Sequence, residues 1–307
     1  MHIPFQHNRF VRGFINTFDP VVRLFYCKLK FYRLASLFFP DLYSSRFESL
    51  NSYFSIIYHA LRKHGFVIKG KTILELGPGN SYINAFNFLN QGAEQVILVD
   101  KYPRICETEA QRQHIKKEIA FFKKITHSTP GSWIDERTCL PRGDRIRFIA
   151  GDFRDIPFTE GIDLIYSIAV LHHIKNLDRY IPRMHEILNP GGMMYHVIEL
   201  KDKFHFYGNP FLFYKYSDWT WEHLLTDEAV TYTNRLRYQD YIDLFTQAGF
   251  EIVWQETQSY EVPRMRLNSK FSGRQDLGIG DLRILLKKKS KPKVKKSKRA
   301  KGGRAVR

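Results

Sequence analysis

Residues 73–82 read ILELGPGNSY, and the reading of the whole chain turns on them. A short apolar strand carrying one carboxylate, Glu75, runs straight into two glycines that bracket a proline. So little side chain in so sharp a turn suits a backbone that approaches a ligand closely, and it also suits a plain strand-to-helix turn. A dinucleotide-binding turn follows the pattern G-x-G-x-x-G. Gly77 and Gly79 match it, but Tyr82 stands where the third glycine would lie. Pro78 removes a backbone donor where a pyrophosphate cradle wants one. A P-loop is excluded, because no G-K-[ST] follows. The turn therefore suits a ligand with little negative charge.

Outward from this turn, strands and helices alternate. Thr72–Leu76, Gln95–Val99, Arg145–Ala150, Ile162–Ser167 and Met193–Glu199 are predicted strands, followed by Phe250–Gln255 and Asp281–Leu286. Helices are predicted over Ser81–Asn90, Glu107–Ile125, Leu177–Leu188 and Tyr238–Ala248. Gly92, the NPGG run at 189–192 and Gly249 supply stop signals. The nearly all-apolar strands are those of a sheet covered on both faces, so the pattern predicts a doubly wound α/β sheet. Its ligand would lie beyond the carboxyl ends of the strands, at the switch point. Residues 200–235 break the rhythm with aromatics and few aliphatics. They are read as an insertion over the active face, against a satellite hydrophobic cluster as the plainer alternative.

Three acids fall at strand ends. Glu75 precedes the turn, where it would repel phosphate and favour a cation. Asp100 ends the second strand, placed to accept from two ribose hydroxyls. Asp152 follows the third, where it could accept from an exocyclic amine, with Phe153 as a flat face for a base. Together they describe a site for an adenosine without phosphate and with a positive appendage.

That description matches S-adenosyl-L-methionine (SAM), and over roughly residues 70–286 the sequence resembles the class I SAM-dependent methyltransferases. ELGPGN at 75–80 looks like their first motif, with Asn80 in place of the usual third glycine. GDF at 151–153, IDLIYSIAVLHHI at 162–174 and HEILNPGGMMYHVIE at 185–199 are similar to later motifs in the expected order. GPGNS, VIELKDKF and NRLRYQDYIDLFTQAGFEI resemble a subgroup associated with polysaccharide and cell-envelope biosynthesis. The resemblance implies a Rossmann-like, seven-stranded methyltransferase sheet. It also implies cofactor contacts at Glu75, Gly77, Pro78, Gly79, Asp100, Asp152, Phe153 and Ser167, and a small-molecule or glycan acceptor, taken as a hydroxyl.

A hydroxyl acceptor needs a base, and His172 and His173 follow the fourth strand at the ligand end. His173 matches the histidine of the relatives' L-[EH]-H pattern and is preferred; the plainer reading is that one histidine orients the loop. Lys201, Asp202, Arg235 and Arg237 are candidate acceptor contacts or, equally, solvated charges. His196 reads as a core histidine. His114, His127, His185 and His223 lack metal-ligand spacing, so no metal is expected. Rival readings are an RNA or protein methyltransferase and a SAM-binding scaffold without turnover. Ser167-Ile168-Ala169 stands where an NPPY-like run would serve amino-group methylation of bases.

The 307 residues carry a net charge of +17, unevenly placed. Residues 287–307 hold 12 Lys and Arg and no acid, and residues 1–40 hold six with one acid, Asp19. The remainder is balanced at 30 basic and 30 acidic residues, so the body is no evident nucleic-acid binder. Residues 1–40 also carry ten aromatics, which suits a packed cap or an element at a membrane surface. The reading divides the chain into a helical cap at 1–69, the methyltransferase domain at 70–286 and a disordered basic tail at 287–307. Cys27, Cys106 and Cys139 lie far apart, as free thiols in a reducing compartment would. With neither a signal peptide nor a long apolar run, a cytoplasmic protein is expected, peripheral at an anionic membrane surface. Nucleic-acid contact through the tail is the less favoured option.

Overall fold

The computed structural model describes residues 18–21, 23–24, 47–102, 108–202, 210–226 and 232–289. The strands of its main sheet are β1 (Thr72–Leu76), β2 (Gln95–Asp100), β3 (Ile146–Ala150), β4 (Ile162–Ile168), β5 (Leu188–Glu199), β6 (Phe250–Ser259) and β7 (Ile279–Lys288). Its main helices are α1 (Phe47–Lys63), α2 (Ile83–Asn90), α3 (Glu109–Thr126), α4 (Tyr180–Ile187) and α5 (Tyr238–Gln247). The predicted alternation is present, with boundaries shifted by a few residues.

The strands pair in the order β3-β2-β1-β4-β5-β7-β6. All pairs from β3 to β5 are parallel, and β7 runs against both its neighbours. The chain steps outward from β1 through β2 to β3, then returns to β4 on the other side of β1. That reversal opens a crevice beyond the carboxyl ends of β1 and β4. The order explains the composition of these strands: Ile73, Leu74, Ile97, Leu98, Leu164 and Ile165 are all wholly buried, because helices cover both faces.

On one face α1, α2 and α3 pack through Ile57, Leu61, Phe86, Phe88 and Phe122 against Ile73, Leu98 and Tyr166. On the other, α4 and α5 bring Ile181, Met184, Tyr241 and Phe245 against Leu74, Ile165 and Ile284. Each such side chain contributes about 1.5–3 kcal/mol by leaving water. α1 is thus part of the sheet's own core. Phe54 meets Phe88 edge-on at 5.0 Å, and Asn87 donates to Asn51 at 2.9 Å. The core therefore takes in residues back to α1, ahead of the predicted boundary at 70. Residues 1–40 lie outside the described residues apart from positions 18–21, 23 and 24.

The start of α3 is set locally: the Thr108 hydroxyl accepts from the Gln111 amide, and the Gln111 side chain accepts in return from the Thr108 amide. At the far end of the sheet, β7 reaches Lys288, whose ammonium donates to the carbonyls of His185 and Leu188 at 2.6 and 2.7 Å. The predicted tail boundary at 287 falls inside this strand. Residues 290–307 lie outside the described residues.

The aromatic segment after β5 builds a third cluster. Phe211, Phe213, Tyr214, Trp221 and Leu225 pack with Phe271 and Leu277 from the connection between β6 and β7. Both segments leave the sheet at its carboxyl end, since β7 runs backwards. Residues 203–209 and 227–231 of the predicted insertion lie outside the described residues. Part of the N-terminal region docks here as well. Arg23 pairs with Asp19 at 2.8 Å and with Asp202 at 2.6 Å, all three wholly or almost wholly buried, and Tyr216 donates to Asp19 at 2.7 Å. Removing one partner from such a buried set costs about 3–5 kcal/mol, because it strands the others.

Candidate functional site

The GPGN turn closes β1 with both glycines left-handed, Gly77 at φ 68° and Gly79 at φ 65°. Gly77 is required twice over. Its conformation disfavours any side chain, and a Cβ there would lie 2.5 Å from Cγ2 of Val170, just past β4. The Gly77 amide donates to the Val99 carbonyl at 2.8 Å, and the Gly79 amide to Asp100 Oδ2 at 3.3 Å. Asp100 Oδ1 accepts from the Tyr102 amide at 2.9 Å. These contacts bring the turn, the end of β2 and the exit of β4 together at the switch point. Each carboxylate oxygen of Asp100 thus accepts a backbone donor here.

Glu75 faces inward. It is 4% exposed, accepts from the Tyr166 hydroxyl at 2.5 Å and from Asn84 Nδ2 at 3.3 Å, and supports the turn from beneath. Burial pushes its carboxyl up to about 7. A second buried acid, Glu118 of α3, fills the amino terminus of α2. It accepts from the Tyr82 amide at 3.0 Å, the Ile83 amide at 2.8 Å and the Ser81 hydroxyl. Its carboxyl is also pushed up to about 7 by burial. The donors that a dinucleotide's pyrophosphate would use at this helix are thus already taken by a carboxylate of the protein. The sequence offered no signal for Glu118, which stands 36 residues from the helix it caps.

Asp152 is held by its neighbours. Arg154 donates to both carboxylate oxygens at 2.9 and 2.7 Å, and the Tyr180 hydroxyl lies 3.0 and 2.9 Å from them. The Arg154 hydrogen bonds hold this carboxyl well below the usual range. Its acceptor positions are filled in this arrangement, so an exocyclic amine could reach it only if the exposed Arg154 swung away. Phe153 is 4% exposed and spends its ring on Phe158 and Tyr180, so it presents no open face to a base as placed. Ser167 is wholly buried, with its hydroxyl 2.8 Å from His196 Nδ1. His196 is also wholly buried, and burial pushes it down to about 3, so it stays a neutral core histidine.

The two candidate bases sit in a tight turn, Leu171–His173, their rings 3.9 Å apart. His172 is 4% exposed; His173 is half-buried. His173 Nδ1 lies 2.5 Å from the Tyr232 carbonyl. A carbonyl only accepts, so Nδ1 is the donor in this contact. Asn234 pins this turn from across the fold. Its Nδ2 donates to the carbonyls of Leu171 at 2.9 Å and Ile174 at 3.2 Å, and its amide donates to that of His172 at 2.8 Å. Its Oδ1 accepts from the Leu236 amide at 3.1 Å and the Tyr241 hydroxyl at 3.2 Å. The sequence reading passed over Asn234 and chose its neighbours Arg235 and Arg237 instead.

Those two arginines are structural. Arg237 is wholly buried and donates to the carbonyls of Leu200, Leu277 and Ile279. Arg235 is 3% exposed and donates to the carbonyls of Phe213 and Tyr216 and to Asp218. They fasten the aromatic cluster to the sheet and, as placed, offer an acceptor no surface. Asp202 is likewise buried on Arg23. Lys201 is half-buried and donates to Asp281 at 2.9 Å. Among the described residues no cluster of three His, Cys, Asp or Glu could hold a metal.

A family model described as a methyltransferase domain matches residues 55–255. A sterol 24-C-methyltransferase of Pneumocystis carinii is 39% identical over 51 residues, which span 16% of this chain and 14% of that protein. The chain therefore matches only a small part of that curated relative. A solved S-adenosylmethionine dependent methyltransferase of Mesorhizobium loti is 16% identical, with 75% of this chain and 97% of that one covered and a TM-score of 0.44. The family match spans well over half of the 307 residues and contains the glycine turn, all three strand-end acids and the histidine turn. The chain belongs to the methyltransferase-domain family, and its sheet is the class I fold of the SAM-dependent methyltransferases.

Proposed function

We propose that this chain methylates a hydroxyl oxygen of a small-molecule or glycan acceptor, with SAM as donor and His173 as the base. The observation that carries the reading is the 2.5 Å contact from His173 Nδ1 to the Tyr232 carbonyl, which holds the ring, with Nδ1 as donor, in the turn after β4. SAM, when bound, supplies a methyl group on a positively charged sulfur. Gly77 and Gly79 admit it closely, and Asp100 at the end of β2 takes the ribose hydroxyls. Glu118 keeps phosphate-bearing rivals from the start of α2. His173 Nε2 takes the acceptor's hydroxyl proton as the oxygen gains the methyl group, and Asn234 fixes the turn for that transfer. A glycan acceptor is supported by resemblance to the polysaccharide-associated subgroup, and a cytoplasmic location by the free-thiol pattern. Among the described residues no helix is long and apolar enough to cross a membrane.

The test is turnover of His173→Ala and His173→Gln with labelled SAM on a panel of hydroxyl- and amine-bearing acceptors. The expected result is loss of about 100-fold or more in kcat on hydroxyl acceptors, with SAM affinity kept. Unchanged turnover on a hydroxyl acceptor would remove His173 from the mechanism, and transfer confined to amines would replace the acceptor class.

A further inference from the structure

The short helical stretch at residues 18–21 and 23–24 is inside out. Its charged residues, Asp19 and Arg23, are wholly buried, while Phe18, Val21 and Leu24 are 43, 47 and 42% exposed. An amphipathic helix on a water-facing surface has the opposite arrangement. The polar side is fixed to the aromatic segment, through Tyr216 on Asp19 and through the Arg23 guanidinium 5.1 Å from the Trp221 ring. The apolar side is thereby turned out by design of the contacts beneath it.

The segment to which it is fixed has the same character. Trp219 is 62% exposed, with its ring stacked on His223 at 5.4 Å, and Leu224 is 39% exposed. A few residues away, a cleft of about 630 Å³ opens between Lys215, Ser217, Arg266 and Asn268. Among the described residues, neither Lys215 nor Arg266 has a carboxylate within ion-pair distance; nearby Asp218 is taken by Arg235 and Lys270. Exposed Trp and Leu beside uncompensated cations is the chemistry of a membrane–water interface. The charge of the chain fits an anionic surface. Asp19, the sole acid among residues 1–40, is consumed internally, and residues 287–307 add 12 basic residues.

We propose that this face, made of Val21, Leu24, Trp219 and Leu224 with Lys215 and Arg266 at the cleft, docks the protein on an anionic lipid bilayer. The apolar side chains enter the headgroup boundary and the cleft takes a lipid phosphate. The basic tail adds attraction at a distance, which salt screens. The docked face leaves the sheet at the end that carries the histidine turn. The proposal concerns binding and is independent of which acceptor is methylated.

The test uses the full chain, sedimented with phosphatidylcholine vesicles alone and with phosphatidylglycerol added, at low salt and at roughly 0.5 M salt, where screening shortens to about 4 Å. The wild type is expected to bind the anionic vesicles, to keep part of that binding at high salt, and to show a blue-shifted emission that Trp219→Phe removes. The double variant Leu24→Ser, Trp219→Ser is expected to lose about tenfold or more of the high-salt binding. Lys215→Glu with Arg266→Glu is expected to weaken binding at low salt. Unchanged melting temperature and SAM binding certify that the variants fold. Variants that bind like the wild type would assign all vesicle binding to the tail and overturn the proposal. Equal binding to neutral vesicles would also overturn it, as would a dimer dissolved by the same substitutions without any vesicle binding.

Discussion

Replacing Asn234 with alanine is expected to disable turnover while sparing the cofactor. The side chain makes four hydrogen bonds, two donated to carbonyls flanking the histidine pair and two accepted at the entrance of α5. A typical internal hydrogen bond is worth about 0.5–1.5 kcal/mol net, so the two bonds on the turn hold it by roughly 1–3 kcal/mol. At about 1.4 kcal/mol per tenfold, a turn that has lost this restraint should lower kcat by roughly 5- to 150-fold. The backbone bond from the Asn234 amide to the His172 carbonyl survives, which keeps the loss below that of removing His173. SAM affinity should change little, because the Asn234 side chain holds the histidine turn, whereas Asp100 is tied to the amides of Gly79 and Tyr102. The assay is turnover against pH beside calorimetry with SAM. A positioning role predicts a lower plateau together with a shifted acidic limb, since the histidine environment changes. Turnover unaffected despite a lowered melting temperature would refute the reasoning and leave Asn234 a plain structural staple. Parallel losses in SAM affinity and turnover would point to general collapse instead.

Gly77→Ala is expected to abolish measurable SAM binding, because it combines a left-handed backbone with a contact at 2.5 Å to Val170; calorimetry checks it, and an affinity within about twofold of wild type would count against the turn as the cofactor cradle. Arg237→Met should lower stability by about 2–4 kcal/mol in urea unfolding, since three buried carbonyls lose their donor, while leaving kcat on a soluble acceptor within about twofold in the folded fraction. Stability should also vary with pH through Glu75 and Glu118. Both stand at about 7 in the fold against an ordinary 4.5, so between these values the fold holds protons that the unfolded chain has released. Their contribution is therefore full below about pH 4.5 and is lost as pH rises to about 7. Urea titrations of Glu118→Gln should show a flatter profile over that window than the wild type.

Much of the sheet was legible because its cause is local. Buried parallel strands such as Gln95–Asp100 must be continuously apolar, and they end where a polar residue reaches the crevice. The glycine turn was legible for the same reason: a left-handed backbone selects its residue type. Burial by distant partners was not legible. Arg235 and Arg237 look like loop charges until residues 211–221 and 277–279 surround them. Glu118 looks like an exposed helix acid until the start of α2 is laid against it. Asp152 and Phe153 were placed at the right strand end, yet Arg154 and Tyr180 claim their capacity, a competition that spacing cannot reveal. α1 fell within the predicted cap, and the contacts of Ile57 and Leu61 with the sheet's core could not be read from residues so far apart in sequence.

The most direct measurement is calorimetric titration of the full chain with SAM, S-adenosylhomocysteine and NAD under one set of conditions. Glycines that admit a ligand closely, Asp100 at the end of β2 and Glu118 across the helix start together predict binding of the first two, and NAD far more weakly. Asp100→Ala should then cost SAM about 1.5–3 kcal/mol for each charge-assisted hydrogen bond lost. Binding of NAD with no binding of SAM would contradict the account.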